Sequence, residues 1–204
     1  MKVLITSGGC KVPIDDVRHI GNFSSGRYGV ELARAFNRDN DVLFFREKDS
    51  YPFRHDDTIY KDYEDYLNVK NMITGWQPDV IVSAAAISDY IVDKTEGKIS
   101  SNNEELVITL RRGEKVIKSF KELSPHSFVV GFKLLVGPTD EEKEVAIEKV
   151  FNSGVDIVIY NDLLELRKGK TERELHSKYL GPYPPHKFDD PDYLVNYINY
   201  CRSF

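Results

Sequence analysis

Short runs of Val, Ile, Leu and Phe recur along this chain. They lie between stretches whose apolar positions return every three or four residues. Residues 2–6 and 41–46 read as strands, and 79–84, uncharged after Asp79, carries the β-rich pattern of a parallel strand buried on both faces, a type that 128–132 and 156–159 repeat. Helical spacing follows the first run from about residue 27 to 37, and a Tyr- and Asp-rich stretch over 60–75 reads as a second helix ending near Gly75. Residues 47–59, with Pro52, read as loop. A third helix is expected over 139–153, capped by Thr139 or Asp140, with Val145, Ile147, Val150 and Phe151 as its apolar side. Strands alternating with helices predict an α/β fold built on a doubly wound, mainly parallel sheet.

Two segments break the alternation. In 98–112, Leu106, Ile108 and Leu110 alternate with Val107, Thr109 and Arg111, which predicts a small β-ribbon or a dimerisation arm that needs covering. Residues 181–185, Gly-Pro-Tyr-Pro-Pro, are expected to stop regular structure. Asp190-Pro191 then starts a last helix, with proline in its first turn and Leu194, Val195, Ile198 and Cys201 on its apolar side.

At 204 residues the chain suits one α/β domain over 1–204, with the 98–112 arm and a 181–204 tail as appendages. Its 41% hydrophobic content allows a substantial core. A net charge of −5 argues against a nucleic-acid partner. No apolar run approaches a membrane span, and residues 3–5 enter a strand with no signal-peptide organisation, so a cytoplasmic protein is expected. Cys10 and Cys201 fit no metal or redox spacing, and Cys10, with no near histidine, reads as a small turn residue rather than a nucleophile.

The chemistry gathers where parallel strands end. After the first strand the chain reads TSGGCKVPIDDVRHIGNFSSGRYG over 6–29. Gly8 and Gly9 make a tight turn, and Ser24-Ser25-Gly26 leads into a helix whose free N–H groups suit a phosphate. Ser24 or Ser25 serves equally as an ordinary N-cap. Arg18 and Asn22 add a cation and an amide able to orient an acyl or phosphoryl group. Neither the dinucleotide G-x-G-x-x-G nor the P-loop pattern is present. The loop after the third strand, Ser83-Ala84-Ala85-Ala86-Ile87-Ser88-Asp89, lets a flat ring or ribose approach the backbone, with Asp89 as acceptor or as a plain turn residue. Lys98, beside Gly97, offers a mobile point charge. Phe132 is placed to stack a base or to join the core, and Asn161-Asp162 reads as a turn.

Taken in order, TSGG, IDDVRHIGNFSSGRYG, AAAISDY, GKISS, VGFKLLV and IVIYND resemble phosphopantothenate–cysteine ligase from Lys2 to about Leu163. The likeness is to the stand-alone bacterial form, which lacks the flavin-dependent decarboxylase domain. It implies a Rossmann-like fold and a homodimer built through the 99–111 arm. The implied reaction joins 4′-phosphopantothenate to cysteine through an acyl-nucleotide, with CTP, or else ATP, as co-substrate, Mg²⁺ accompanying the triphosphate, and no flavin. By the same resemblance Asn22 holds the acyl-nucleotide, Arg18 serves the step in which cysteine attacks, and Lys98 binds nucleotide and phosphates. Asp89 holds the ribose. Ser83, Ala84 and Ala85 line the nucleotide, while Ala85 and Ala86 also face the substrate. Gly113, Glu114, Lys115 and Val116 form another nucleotide loop, and Phe132 and Lys149 match further nucleotide positions.

The chain departs from that pattern at Cys10, usually threonine, at Tyr160, usually small, and at Ser153, which is lysine in the fused enzymes. Its linker between Tyr90 and Lys98 is short, and no match extends beyond Leu166. Two other readings compete. A non-catalytic nucleotide-binding protein on the same fold would have no need of Asn22 and Lys98. A short-chain oxidoreductase would need a helical Tyr-x-x-x-Lys pair, whereas Tyr90 and Lys94 sit in a polar loop.

Overall fold

The computed structural model describes residues 1–102, 104–179 and 185–202. In chain order the elements are β1 Lys2–Ser7, β2 Lys11–Pro13, β3 His19–Gly21, α1 Arg27–Phe36, β4 Asp41–Glu47, β5 Thr58–Tyr60, α2 Tyr63–Tyr66, α3 Val69–Trp76, β6 Val80–Ser83, β7 Tyr90–Ile91, β8 Arg111–Arg112, a 3₁₀ turn Val116–Ser119, α4 Phe120–Leu123, β9 Phe128–Leu135, α5 Asp140–Phe151, β10 Ile157–Asp162, α6 Leu163–Arg167, β11 Arg173–Ser177, β12 His186–Phe188 and α7 Pro191–Cys201. Eight strands form one sheet in the order β12-β11-β10-β9-β6-β1-β4-β5. The pairings from β10 through to β5 are parallel; β11 and β12 are antiparallel.

Period-two alternation distributes the core to two faces. Val3, Ile5, Val80, Val82, Val130, Ile157 and Ile159 pack on one side against Val30, Ala33 and Phe36 of α1 and Leu194 and Ile198 of α7. Leu4, Ile81, Val129 and Val158 pack on the other against Tyr66, Ile73, Phe120 and Ile147. The sheet is buried on both faces, which is why its strands read as near-continuous apolar runs.

Several expectations need correction. The helix predicted over 60–75 is two helices preceded by a strand. Asp62, in extended backbone, accepts from the Asp65 N–H at 3.0 Å and starts α2, while a break at 67–68 separates α3. Short Asp side chains that bond nearby backbone compete with helix continuation. Tyr60 belongs to β5, so 47–59 is not all loop. The predicted ribbon shrinks to Arg111–Arg112 paired with Tyr90–Ile91; Leu106, Val107 and Leu110 stand exposed, with no strand among the described residues to pair them. The loops expected after residues 132 and 159 are strand, since β9 runs to Leu135 and β10 to Asp162, whose side chain caps α6 by accepting from the Leu164 N–H at 2.9 Å. In α5 the Thr139 cap forms as a full capping box, yet Val145 is exposed. The N-cap position of α1 is Gly26, at φ +77°, rather than Ser24 or Ser25, although Ser25 Oγ still accepts from the Arg27 N–H at 3.4 Å. The tail is no appendage, because β11, β12 and α7 complete one edge of the sheet and one of its core faces. The stop expected at 181–185 lies, for 181–184, outside the described residues.

Candidate active site

After β1 the chain builds outward through β4 to β5, then crosses back to lay β6 on the other side of β1. Strand order therefore reverses between β1 and β6, the point where open parallel sheets hold ligands beyond their carboxyl ends. Gly8-Gly9 and Ala84-Ala85-Ala86 leave the sheet there and stay zipped together. The Ala84 N–H donates to the Thr6 carbonyl at 3.1 Å, the Ala86 N–H to the Gly8 carbonyl at 2.9 Å, and the Cys10 N–H to the Ala86 carbonyl at 3.0 Å. The Asn22 Nδ2 donates to the same Ala86 carbonyl at 3.1 Å, which fixes the amide at the mouth of the crevice. Only glycine fits at residue 9, where a Cβ would lie 2.4 Å from the Asn22 carbonyl oxygen. Asn22 thus reaches the Ala loop because Gly9 lets its backbone close in.

Beside this seam α1 begins. Its N-cap residue, Gly26, has no side chain to cap it; the Arg27 N–H donates to Ser25 Oγ at 3.4 Å, and the Tyr28 and Gly29 N–H groups, with no side-chain partner among the described residues, are open to an anion. The Ser7 hydroxyl donates to the Gly26 carbonyl at 3.1 Å and ties the helix start to the end of β1. Ser24 is half-buried and Ser25 exposed on the approach.

The β2–β3 hairpin carries Arg18 at its tip. Arg18 donates from Nε to Asp15 Oδ2 at 2.9 Å and from Nη2 to the same oxygen at 2.5 Å and to the Ile99 carbonyl at 2.9 Å. Asp15, 2% exposed, also accepts from the Val17, Arg18 and Ile99 N–H groups, and the Arg18 guanidinium and these bonds hold its carboxyl well below the usual carboxylate range. The loop bearing Lys98 is thereby docked beside Arg18. Lys98 itself is exposed and has no partner among the described residues. Neither Asp15 nor Asp16 is among the residues that the sequence reading selects, although a paired Asp before a turn is a signal of local backbone capture.

The remaining candidates divide. Asp89 is exposed, and its carbonyl accepts from the Gly113 N–H at 3.0 Å, which sets the 113–116 loop beside it. Tyr63 anchors that loop through the Glu114 backbone, accepting from its N–H at 2.8 Å. The Glu114 carboxylate pairs with Lys70 at 2.5 Å and the Val116 side chain is buried in the core, so the loop offers its backbone and the exposed Lys115 side chain. Phe132, next along β9 from the Ser83–Gly131 pairing, packs edge-on to Tyr28, with centroids 6.0 Å apart. Tyr28 is itself covered by the Arg173 guanidinium at 3.5 Å, and its buried hydroxyl, with no partner among the described residues, is pushed up to about 12 by desolvation. Lys149 is not brought to this crevice: it lies in the last turn of α5, which leads into the opposite end of β10. Cys10 is fully buried and burial pushes its thiol up to about 11. Among the described residues no three His, Cys, Asp or Glu side chains group to hold a metal ion. No helix is long and apolar enough to cross a membrane.

Fold and topology define a Rossmann-like α/β protein whose candidate site lies at the switch point of its sheet. Residues 1–177 match the DNA/pantothenate metabolism flavoprotein C-terminal domain, and the chain belongs to that family. The match passes Leu166, so the family extends into β11, further than the sequence motifs reach. The coenzyme A biosynthesis bifunctional protein CoaBC of Thermococcus kodakarensis is 38% identical over 167 residues, 79% of this chain and 41% of that protein. The chain spans about two fifths of the length of the curated relatives it matches. The crystal structure of the DNA/pantothenate metabolism flavoprotein from Streptococcus pneumoniae shares the fold, with a TM-score of 0.83 at 23% identity over 100% of this chain and 98% of that one. A Cab2 variant in complex with phosphopantothenate-cysteine does so with a TM-score of 0.72 at 20% identity, over 99% of this chain and 86% of that one.

Proposed function

We propose that this chain is a phosphopantothenate–cysteine ligase of coenzyme A biosynthesis. The observation that carries the reading is the fixed Asn22 amide at the β1/β6 switch point, with Arg18 and Lys98 docked on one loop pair above it. The family match and the product held by the Cab2 variant supply the substrate class.

In the first step a carboxylate oxygen of 4′-phosphopantothenate attacks the α-phosphorus of a nucleoside triphosphate. The bond to the bridging oxygen breaks and pyrophosphate leaves. In the second the cysteine amine attacks the acyl carbon and loses a proton, and the nucleoside monophosphate departs with the former carboxylate oxygen. Two anions must meet in the first step. Fixed cations and N–H dipoles offset their repulsion without reorganising. Lys98 meets the phosphates as a point charge, and the start of α1, with Gly8, Gly9, Ser24, Ser25 and Gly26 around it, receives a further phosphate group on its remaining free N–H groups. Arg18 keeps Nη1 without a partner among the described residues, a donor aimed by its bonds to Asp15 and Ile99 and available in the second step. Asp89 receives ribose hydroxyls, and the backbone of 83–86 and 113–116 receives the base. CTP is the favoured co-substrate, entering with Mg²⁺. No side chain need form a covalent bond, and the reaction needs no flavin; positioning does the work. We further propose that the protein acts in the cytoplasm as a homodimer whose interface covers the exposed apolar residues of 104–110.

Pyrophosphate release by purified protein, given Mg²⁺ and CTP or ATP, tests this. Release that requires 4′-phosphopantothenate, with amide formed only when cysteine is added, is the expected result. A folded protein that releases none with either nucleotide would instead be a binding protein on the same fold.

A further inference from the structure

We infer that Asp15 is a positioning residue, the post to which both Arg18 and the Lys98 loop are tied, with Asp16 closing the second half of the clamp. This rests on the ligase reading for its consequence, and on geometry alone for its existence.

The two residues that flank Lys98 are each held by a neighbouring carboxylate across about eighty residues of sequence. The Gly97 N–H donates to Asp16 Oδ2 at 2.8 Å, and the Ile99 N–H donates to Asp15 Oδ2 at 3.1 Å. The Asp16 N–H returns a bond to the Gly97 carbonyl at 2.9 Å, and Thr95 N–H donates to the Ile14 carbonyl at 2.9 Å. Lys98 is therefore the apex of a turn pinned on both sides, while its own ammonium is free among the described residues. The same Asp15 oxygen that receives Ile99 receives Arg18 from Nε and Nη2, so one carboxylate sets the separation of the two candidate cations.

Charge supports the same role. Two bare carboxylates beside a triphosphate would repel it. Here Asp15 is matched by Arg18 and Asp16 by Lys94, at 2.5 Å each, so neither carboxylate of the clamp is left bare beside Lys98. Asparagine cannot replace Asp15: its single oxygen serves either the two N–H groups of Val17 and Arg18 on one side or the three donors on the other, and its NH₂ meets the rest donor to donor.

The test pairs hydrogen exchange with steady-state kinetics on the full chain, using Asp15→Asn and the exposed, milder Asp16→Ala. In both, amide exchange over 94–99 should quicken about tenfold while the β1 and β6 peptides keep wild-type protection. The nucleotide KM should rise about tenfold in Asp15→Asn and less in Asp16→Ala. Asp16→Ala should keep the wild-type kcat, whereas Asp15→Asn, which also frees Arg18, should lower it. In a Lys98→Ala background neither substitution should raise the nucleotide KM further, a non-additivity that a merely structural role would not produce. Unchanged exchange over 94–99 in both variants overturns the clamp, and so does a KM penalty that multiplies fully with Lys98→Ala. If wild-type protein turns over no nucleotide, it is the ligase reading that fails, and exchange alone decides the clamp. Should Asp15→Asn not fold, Asp16→Ala carries both readouts.

Discussion

Asn22 and Cys10 lie a few ångströms of backbone apart, yet their environments assign them opposite roles. Asn22 is exposed with its Nδ2 given to the Ala86 carbonyl. Asn22→Asp keeps the shape, loses that donor and adds an anion where two anions must meet. Turnover should fall about a hundredfold or more, with the thermal transition close to wild type. Wild-type pyrophosphate release by Asn22→Asp would remove the amide from the chemistry. Cys10 is the contrary case. Its thiol is fully buried and raised to about 11, so at neutral and mildly alkaline pH it is neither exposed nor ionised. Alkylation of native protein should modify the half-buried Cys201 first and leave Cys10 until the fold opens, and Cys10→Ser should keep its turnover. Rapid labelling of Cys10 with matching loss of activity would reinstate it as a functional thiol.

Elements with local causes are the ones legible in the sequence. The α5 start is written in Thr139 and Glu142, and the structure shows both halves of the box: the Glu142 N–H donates to Thr139 Oγ1 at 3.2 Å, and Thr139 N–H to Glu142 Oε2 at 2.9 Å. Thr139→Ala should cost about 0.5–2 kcal/mol in denaturant unfolding and leave the nucleotide KM alone. A larger effect on KM than on stability would place the cap in the site. Where the deciding partner is distant, the sequence pattern misleads. Apolar Tyr60 and Tyr66 suit one helix over 60–75, but Tyr60 pairs on the edge of β4 and packs against Phe45 with centroids 4.9 Å apart, which commits it to a strand. Alternation in 98–112 likewise suggests a ribbon, but a strand needs a neighbour, and among the described residues only Arg111 and Arg112 have one.

At the scale of the molecule, the unpaired segment is a prediction of its own. Val107 is 84% exposed, with Leu106 and Leu110 also exposed, whereas Ile108 is half-buried; Leu106, Val107 and Ile108 border a cleft of 260 Å³ with Ile14, Val92 and Ile99. Val107→Asp therefore leaves the protomer intact and should shift sedimentation from dimer to monomer. A dimer unchanged by this substitution would place the interface elsewhere. The crevice as a whole was legible as far as its glycines and alanines, because a doubly wound topology dictates that loops after β1 and β6 meet. The Asp15–Ile99 and Asp16–Gly97 bonds were not, since nothing local marks which of two charged loops will dock on the other. Lys149 shows the converse limit: a matching position in sequence lies at the far end of α5 from the crevice.

Under the proposed function this crevice activates a carboxylate at the α-phosphorus of a nucleotide and then passes the acyl group to cysteine. Heavy oxygen placed in the carboxylate of 4′-phosphopantothenate and followed through turnover tests both steps at once. One heavy oxygen is expected in the nucleoside monophosphate and none in the pyrophosphate. Label appearing in inorganic phosphate, with a nucleoside diphosphate as product, would contradict it, because the acyl group would then have been activated at the γ-phosphorus instead.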